Sequence, residues 1–96
     1  MTASLSTHVL DTGAGRPAAG VRVELRRGAD VVAAVETDDD GRARLADALE
    51  PGVYSVVFHP PSAFFRRVEL EIELGDGHHH VPLLVSPYGC VTYRGS

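Results

Sequence analysis

Apolar and polar residues alternate strictly along two stretches of the chain. Val21-Arg22-Val23-Glu24-Leu25-Arg26 is one, and Arg67-Val68-Glu69-Leu70-Glu71-Ile72-Glu73-Leu74 is the other. A strand turns successive side chains to opposite faces, so period two with branched apolar residues predicts half-buried antiparallel strands. Val31–Val35 and Tyr54–Phe58 are shorter, Val-rich runs of the same kind, and Leu5–Asp11 opens the series. His78–Ser86 reads as one further strand, with His78 and His80 on one face and His79 on the other.

The breaks between these runs are as legible as the runs. Thr12–Gly20 carries three Gly and a Pro, and Arg27-Gly28-Ala29-Asp30 fits a hairpin turn. Asp38-Asp39-Asp40-Gly41 predicts a tight turn in which glycine supplies a positive φ. Glu50-Pro51-Gly52 and Gly75-Asp76-Gly77 are further turns. Pro61–Phe65 and Ala43–Leu49 are the only candidates for a turn or two of helix. Strands returning at this spacing predict an all-β, two-sheet antiparallel sandwich with at most one short helix. With 96 residues, the chain is read as a single domain over 1–96.

Composition narrows the chemistry. The formal charge is −4, against the basic stripe that nucleic-acid binding requires. All nine basic residues are Arg, so Schiff-base catalysis by a lysine is excluded. The single cysteine, Cys90, cannot form an intrachain disulfide, and its expected role is that of a small apolar residue. Met1–Thr7 lacks the basic and apolar regions of a signal peptide, and no apolar run approaches the roughly 18 residues that span a bilayer. The expectation is a cytoplasmic protein with neither a nucleic-acid nor a membrane partner.

Histidine supplies the remaining chemistry. A neutral imidazole is available near pH 7, so His8, His78 and His80 are candidates for general bases or for metal ligands. His59, before Pro60-Pro61, reads as a turn residue. From residue types alone, three functions stay open. One is a hydrolase that activates water through histidine. The second is a metal-dependent amidohydrolase using His8, His78 and His80. The third is a non-enzymatic prealbumin-like binding module, suggested by the strand–turn–strand rhythm of the middle of the chain.

Four separated segments resemble the 5-hydroxyisourate hydrolases, the transthyretin-related proteins. They are Leu5-Ser6-Thr7-His8-Val9-Leu10-Asp11, Asp40-Gly41-Arg42, His78–Leu84 and the final Tyr93-Arg94-Gly95-Ser96. The resemblance implies a prealbumin/transthyretin-like sandwich and a homotetramer with sites at the dimer–dimer interface. It implies hydrolysis of 5-hydroxyisourate to 2-oxo-4-hydroxy-4-carboxy-5-ureidoimidazoline in urate catabolism, with no cofactor and no metal. It marks His8 and His80 as the catalytic histidines and Arg42 as the substrate-binding arginine. Beside them Ser96 is read as a catalytic residue that closes the site through its hydroxyl, and Tyr93, Arg94 and His78 as substrate-binding, with anchoring of the tail as the alternative for Arg94. Position 79 is His where the family commonly has Tyr. Cys90-Val91 replace a more usual Tyr-Ser pair. The segment Phe58–Glu71 is shorter than usual, so the family's short helix is expected to be reduced or absent.

Overall fold

The computed structural model describes residues 1–95 of the chain. Ten strands are arranged in two sheets, and there is no helix among the described residues. In chain order they are β1 (Ala3–Asp11), β2 (Arg16–Pro17), β3 (Arg22–Arg27), β4 (Asp30–Glu36) and β5 (Arg42–Leu49). They continue with β6 (Gly52–His59), β7 (Val68–Leu74), β8 (Gly77–His80), β9 (Leu83–Val85) and β10 (Cys90–Thr92).

One sheet runs β4-β3-β6-β7, every pair antiparallel. The other is built around β1. Its first half is flanked by β5, antiparallel, and β8, parallel. Its second half is flanked by β2, antiparallel, and β9, parallel, with β10 beyond β9. The expected antiparallel pairing therefore holds everywhere except where β1 meets β8 and β9.

The predicted strand His78–Ser86 is interrupted. Pro82 has no N–H to give a ladder, so β8 ends at His80 and β9 begins at Leu83. The connection stays tied to β1, because Val81 N–H bonds the Ser6 carbonyl at 3.0 Å and the buried Thr7 hydroxyl donates to the Val81 carbonyl at 2.6 Å.

Alternation decides which face each residue takes. Leu5 and Val9 of β1, Val23 and Leu25 of β3 and Val56 and Phe58 of β6 are fully buried between the sheets. Burial of such side chains contributes roughly 1.5–3 kcal/mol each. Glu24 departs from the pattern, since it is buried although it sits on the outer face. Its neighbours at i−2 and i+2, Arg22 and Arg26, fold over it and bond both carboxylate oxygens.

Neither helix candidate is helical. Ala43–Leu49 lies inside β5, because pairing with β1 outweighs the helical preference of Ala and Leu. The link from Pro60 to Arg67 contains only bends, and Ser62 bonds its own Phe64 and Phe65 amides there.

Candidate active site

On the outer face of β1 stand Ser4, Ser6 and His8, spaced two residues apart. The parallel register with β8 sets Ser4 opposite His78 and Ser6 opposite His80. The antiparallel register with β5 sets His8 opposite Arg42 and Ser6 opposite Arg44. Seven strand positions from three distant parts of the sequence thus present histidine, serine and arginine side chains together.

The turn before β5 fixes two of these groups. Asp38 Oδ1 accepts the amides of Asp40 and Arg42, both at 2.9 Å. Gly41 has φ +76°, and a Cβ there would run into the Val9 carbonyl oxygen, so only glycine suits the position. The turn starts Arg42 beside β1 and aims the Asp40 carbonyl at His8. That carbonyl accepts from His8 Nε2–H at 2.8 Å. A carbonyl accepts and never donates, so neutral His8 carries its lone pair on Nδ1.

His80 is held differently. Its Nδ1 lies 2.8 Å from Ser6 Oγ, and the same hydroxyl lies 2.9 Å from His78 Nε2. His78 Nδ1 in turn lies 2.7 Å from Ser4 Oγ. Partial burial lowers the pKa of His80 below 6.5, and the charges of Arg42, His8 and His78 lower it further. His80 is therefore largely neutral at pH 7 and able to take a proton.

The chain end returns to this histidine. Gly95 N–H bonds the His80 carbonyl at 2.7 Å, forming an isolated bridge. A Cβ on Gly95 would come within 2.9 Å of His80 Cδ2. The glycine is required for close approach, not for a positive φ. An open depression of about 530 Å³ is lined by Ser6, Asp38, Arg42, Arg44, His78 and His80, among others.

The expected site residues separate into three groups. His8, Arg42, His78 and His80 share the face just described. Tyr93 and Arg94 instead line a second groove, with Leu70, Ile72, His79 and Val81, on the side of β8 where His79 points. Ser96 lies outside the described residues. His59, at the exposed end of β6 opposite Arg22, takes no part. Among the described residues no three His, Cys, Asp or Glu side chains converge as a metal site. Both ring nitrogens of His78 are engaged by serine hydroxyls.

The HIUase/Transthyretin family model matches residues 5–95. The chain belongs to this family. Within it, the 5-hydroxyisourate hydrolase 2 of Rhizobium meliloti (strain 1021) is 40% identical over 114 aligned positions, covering 96% of this chain and 95% of the relative. Those positions outnumber the residues of this chain, so the relative carries segments that this chain lacks. A solved 5-hydroxyisourate hydrolase of Klebsiella pneumoniae superposes with a TM-score of 0.88 at 35% identity, covering 98% of this chain and 99% of that one. Sea bream transthyretin, solved with thyroxine, gives 0.85 at 24% identity over 95% and 93% of the two chains, a likeness of fold.

The family resemblance drew attention to histidine, arginine and the chain end, and three contributors escaped it. Ser6 and Ser4 had no assigned role, although their even spacing from His8 already put them on its face. The Asp40 carbonyl is a backbone group, visible only once the turn is built.

Proposed function

We propose that this protein hydrolyses 5-hydroxyisourate to 2-oxo-4-hydroxy-4-carboxy-5-ureidoimidazoline, a step of urate catabolism. The observation that carries the reading is the meeting of two proton-accepting imidazoles, His8 and His80, beside Arg42. The Arg42 side chain has no ion pair among the described residues. Opening a cyclic amide with water needs a base for the water, a clamp for the polar ring and donors for the developing oxyanion. His80, kept neutral by its partial burial, and His8 serve as bases. The Arg42 guanidinium offers a planar pair of N–H donors to the ring. Ser96 is assigned to close the site through its hydroxyl, and Tyr93 and Arg94, which line the second groove of this chain, to contact substrate in the assembled protein.

Assembly is part of the proposal. We infer a homotetramer, with support from the edges of the two sheets. β7 and β10 are edge strands flanking one groove of about 870 Å³, and Leu70 and Ile72 on its wall are only half-buried. Unpaired edges with apolar side chains favour association with another copy. Such association would also enclose Tyr93 and Arg94. A cytoplasmic setting accords with a chain whose one cysteine has no partner. No helix is long and apolar enough to cross a membrane among the described residues.

The test generates 5-hydroxyisourate in situ and follows its decay with and without protein. Accelerated decay that persists in EDTA is expected. Unchanged decay refutes the proposal, and activity lost to EDTA and restored by zinc replaces it with a metal-dependent hydrolase.

A further inference from the structure

His8 and His80 are held by different chemistry, and the difference assigns work to groups behind His80. His8 is bonded through Nε2–H to a backbone carbonyl, which fixes one tautomer. His80 Nδ1 is bonded to a hydroxyl, which both donates and accepts. That hydroxyl, Ser6 Oγ, has one hydrogen and two imidazole partners, 2.8 Å to His80 Nδ1 and 2.9 Å to His78 Nε2. His78 then continues through Nδ1 to Ser4 Oγ at 2.7 Å. The result is an unbroken line Ser4–His78–Ser6–His80, in which His78 is exposed and His80 half-buried.

We propose that Ser6 and His78 form a proton relay behind His80, with Ser6 passing protons and His78 holding the positive charge that water activation creates. The inference rests on the hydrolase reading and adds to it two positioning residues that need not touch substrate.

The relay balances step by step. At rest, His80 Nδ1–H donates to Ser6, Ser6 O–H donates to His78 Nε2, and His78 Nδ1–H donates to Ser4. His80 Nε2 then carries the lone pair, and it makes no hydrogen bond among the described residues. When a water O–H bond breaks, its proton forms an N–H bond at His80 Nε2, and the oxygen attacks the amide carbonyl carbon. The Nδ1 proton moves to Ser6, and the Ser6 proton moves to His78 Nε2. Ser6 ends as a neutral hydroxyl, His80 as the neutral Nε2–H tautomer and His78 as the imidazolium. When the ring C–N bond breaks, His80 Nε2–H protonates the leaving nitrogen and the relay runs backwards. No proton is gained or lost over the cycle.

The placement of charge favours this division. The charged and titratable groups lining the same depression as His80 are Arg42 and Arg44 on β5, Asp38 at the turn and His78 on β8, and the charge of His8 on β1 also reaches His80. An imidazolium at His80 would be half-buried and close to Arg42. At His78 it is exposed, where water stabilises it. His78 is also farther along the strand from the Arg42–His8 pair, since it stands opposite Ser4.

The experiment compares wild type, Ser6→Ala, Ser6→Thr and His78→Gln by kcat and KM against pH. A second arm is nitrogen NMR titration of the histidines in the free protein. Ser6→Ala and His78→Gln are each expected to lower kcat about tenfold or more, a share of the roughly 10²–10⁴ of general acid–base catalysis, with KM within about twofold. Ser6→Thr keeps the hydroxyl and is expected to restore kcat. In the free wild type, the His78 and His80 titrations are expected to be coupled, and Ser6→Ala to uncouple them. Wild-type kcat in Ser6→Ala or in His78→Gln overturns the relay, as does wild-type coupling in Ser6→Ala. If wild type does not accelerate 5-hydroxyisourate decay at all, the substrate reading fails instead, and the NMR arm still decides whether the proton line exists.

Discussion

The two sheets feed one core but turn very different faces outward. On the β3–β6–β7 side, arginines are closed onto carboxylates. Arg22 and Arg26 bond the two oxygens of Glu24 at 2.9 and 2.8 Å, and Arg67 bonds Glu69 at 2.8 Å. On the β1–β5–β8 side, the imidazoles bond hydroxyls and a carbonyl, and the Arg42 side chain has no carboxylate partner among the described residues. A guanidinium closed onto a carboxylate has spent its donors. An open guanidinium beside neutral imidazoles keeps both its donors and its proton-accepting capacity for a visiting molecule. The same alternation thus builds an inert face and a reactive one, and the choice of outward residue separates them.

The strongest way to break this comparison is to remove the reactive imidazoles. His80→Ala and His8→Ala are each expected to lower turnover about 10²-fold or more, the lower range for loss of a general base. Circular dichroism and melting should change little, because both side chains stand outside the core. His59→Ala alters the inert side and is expected to retain wild-type turnover. Equal damage from His59→Ala would erase the distinction between the faces.

Arg42→Gln removes the open guanidinium while keeping hydrogen-bonding atoms. KM is expected to rise about 10–100-fold, from the roughly 1.5–3 kcal/mol of a hydrogen bond to a charged group. The pH dependence should move as well. Burial first, and the Arg42 charge second, favour neutral His80 and keep its pKa below 6.5. Activity that needs neutral His80 therefore persists below pH 6.5 and is lost as pH falls through the folded pKa. Without the Arg42 charge that pKa moves up, so the acidic limb of kcat/KM is expected at higher pH. A limb that stays in place would show that another group titrates there.

How much of this contrast can be read without coordinates differs from residue to residue. His8, Arg42 and His80 stand out because their types carry chemistry and their segments resemble a known family. Their faces follow from period two. Ser6 is hidden because its role depends on the parallel register of β1 with β8, between segments 74 residues apart. Local patterns carry no information about such a pairing. Ala43–Leu49 is ambiguous for a related reason, as only its pairing with β1 makes it a strand. Glu24 misleads because alternation predicts the outward direction correctly but not the arginine stems that cover it. Tyr93 and Arg94 show the limit of motif reading in a single chain, since they are close to Gly95 in sequence yet line the other groove.

The tail offers a smaller and sharper test. Gly95→Ala places a methyl group within 2.9 Å of His80 Cδ2 and 3.2 Å of His80 Cβ. The imidazole or the tail backbone must yield by a few tenths of an ångström. Displacement of a positioned base by that amount is expected to cost about tenfold in kcat, well short of the roughly 10²-fold of a 1 Å misplacement. Stability should hold, since the bridge is isolated and lies outside the named strands. Steady-state kinetics with a thermal melt separates the two effects. Unchanged kcat would mean that the tail does not constrain His80.

The smallest effect is expected on the inert face, and it concerns stability alone. Glu24→Gln keeps an oxygen that accepts from Arg22 or Arg26 but removes the negative charge between them. Hydrogen bonds from Arg26 and then from Arg22 hold the Glu24 pKa below its ordinary value of 4.5, outweighing the opposing effect of burial. The folded protein therefore binds this proton more weakly than the unfolded chain does. The stabilisation is complete above about pH 4.5 and disappears as pH falls through the lower folded value. Wild type is expected to be more stable than Glu24→Gln at pH 7 by a small margin, as screened ion pairs generally provide. The difference should shrink to nothing in strong acid. Turnover of 5-hydroxyisourate should be the same for both proteins at pH 7. Urea unfolding across the acid range, run beside a turnover assay, reads both quantities. A loss of turnover in Glu24→Gln without a loss of stability would mean that the paired charges of this face act on the site through the core, and the division between the two faces would not stand.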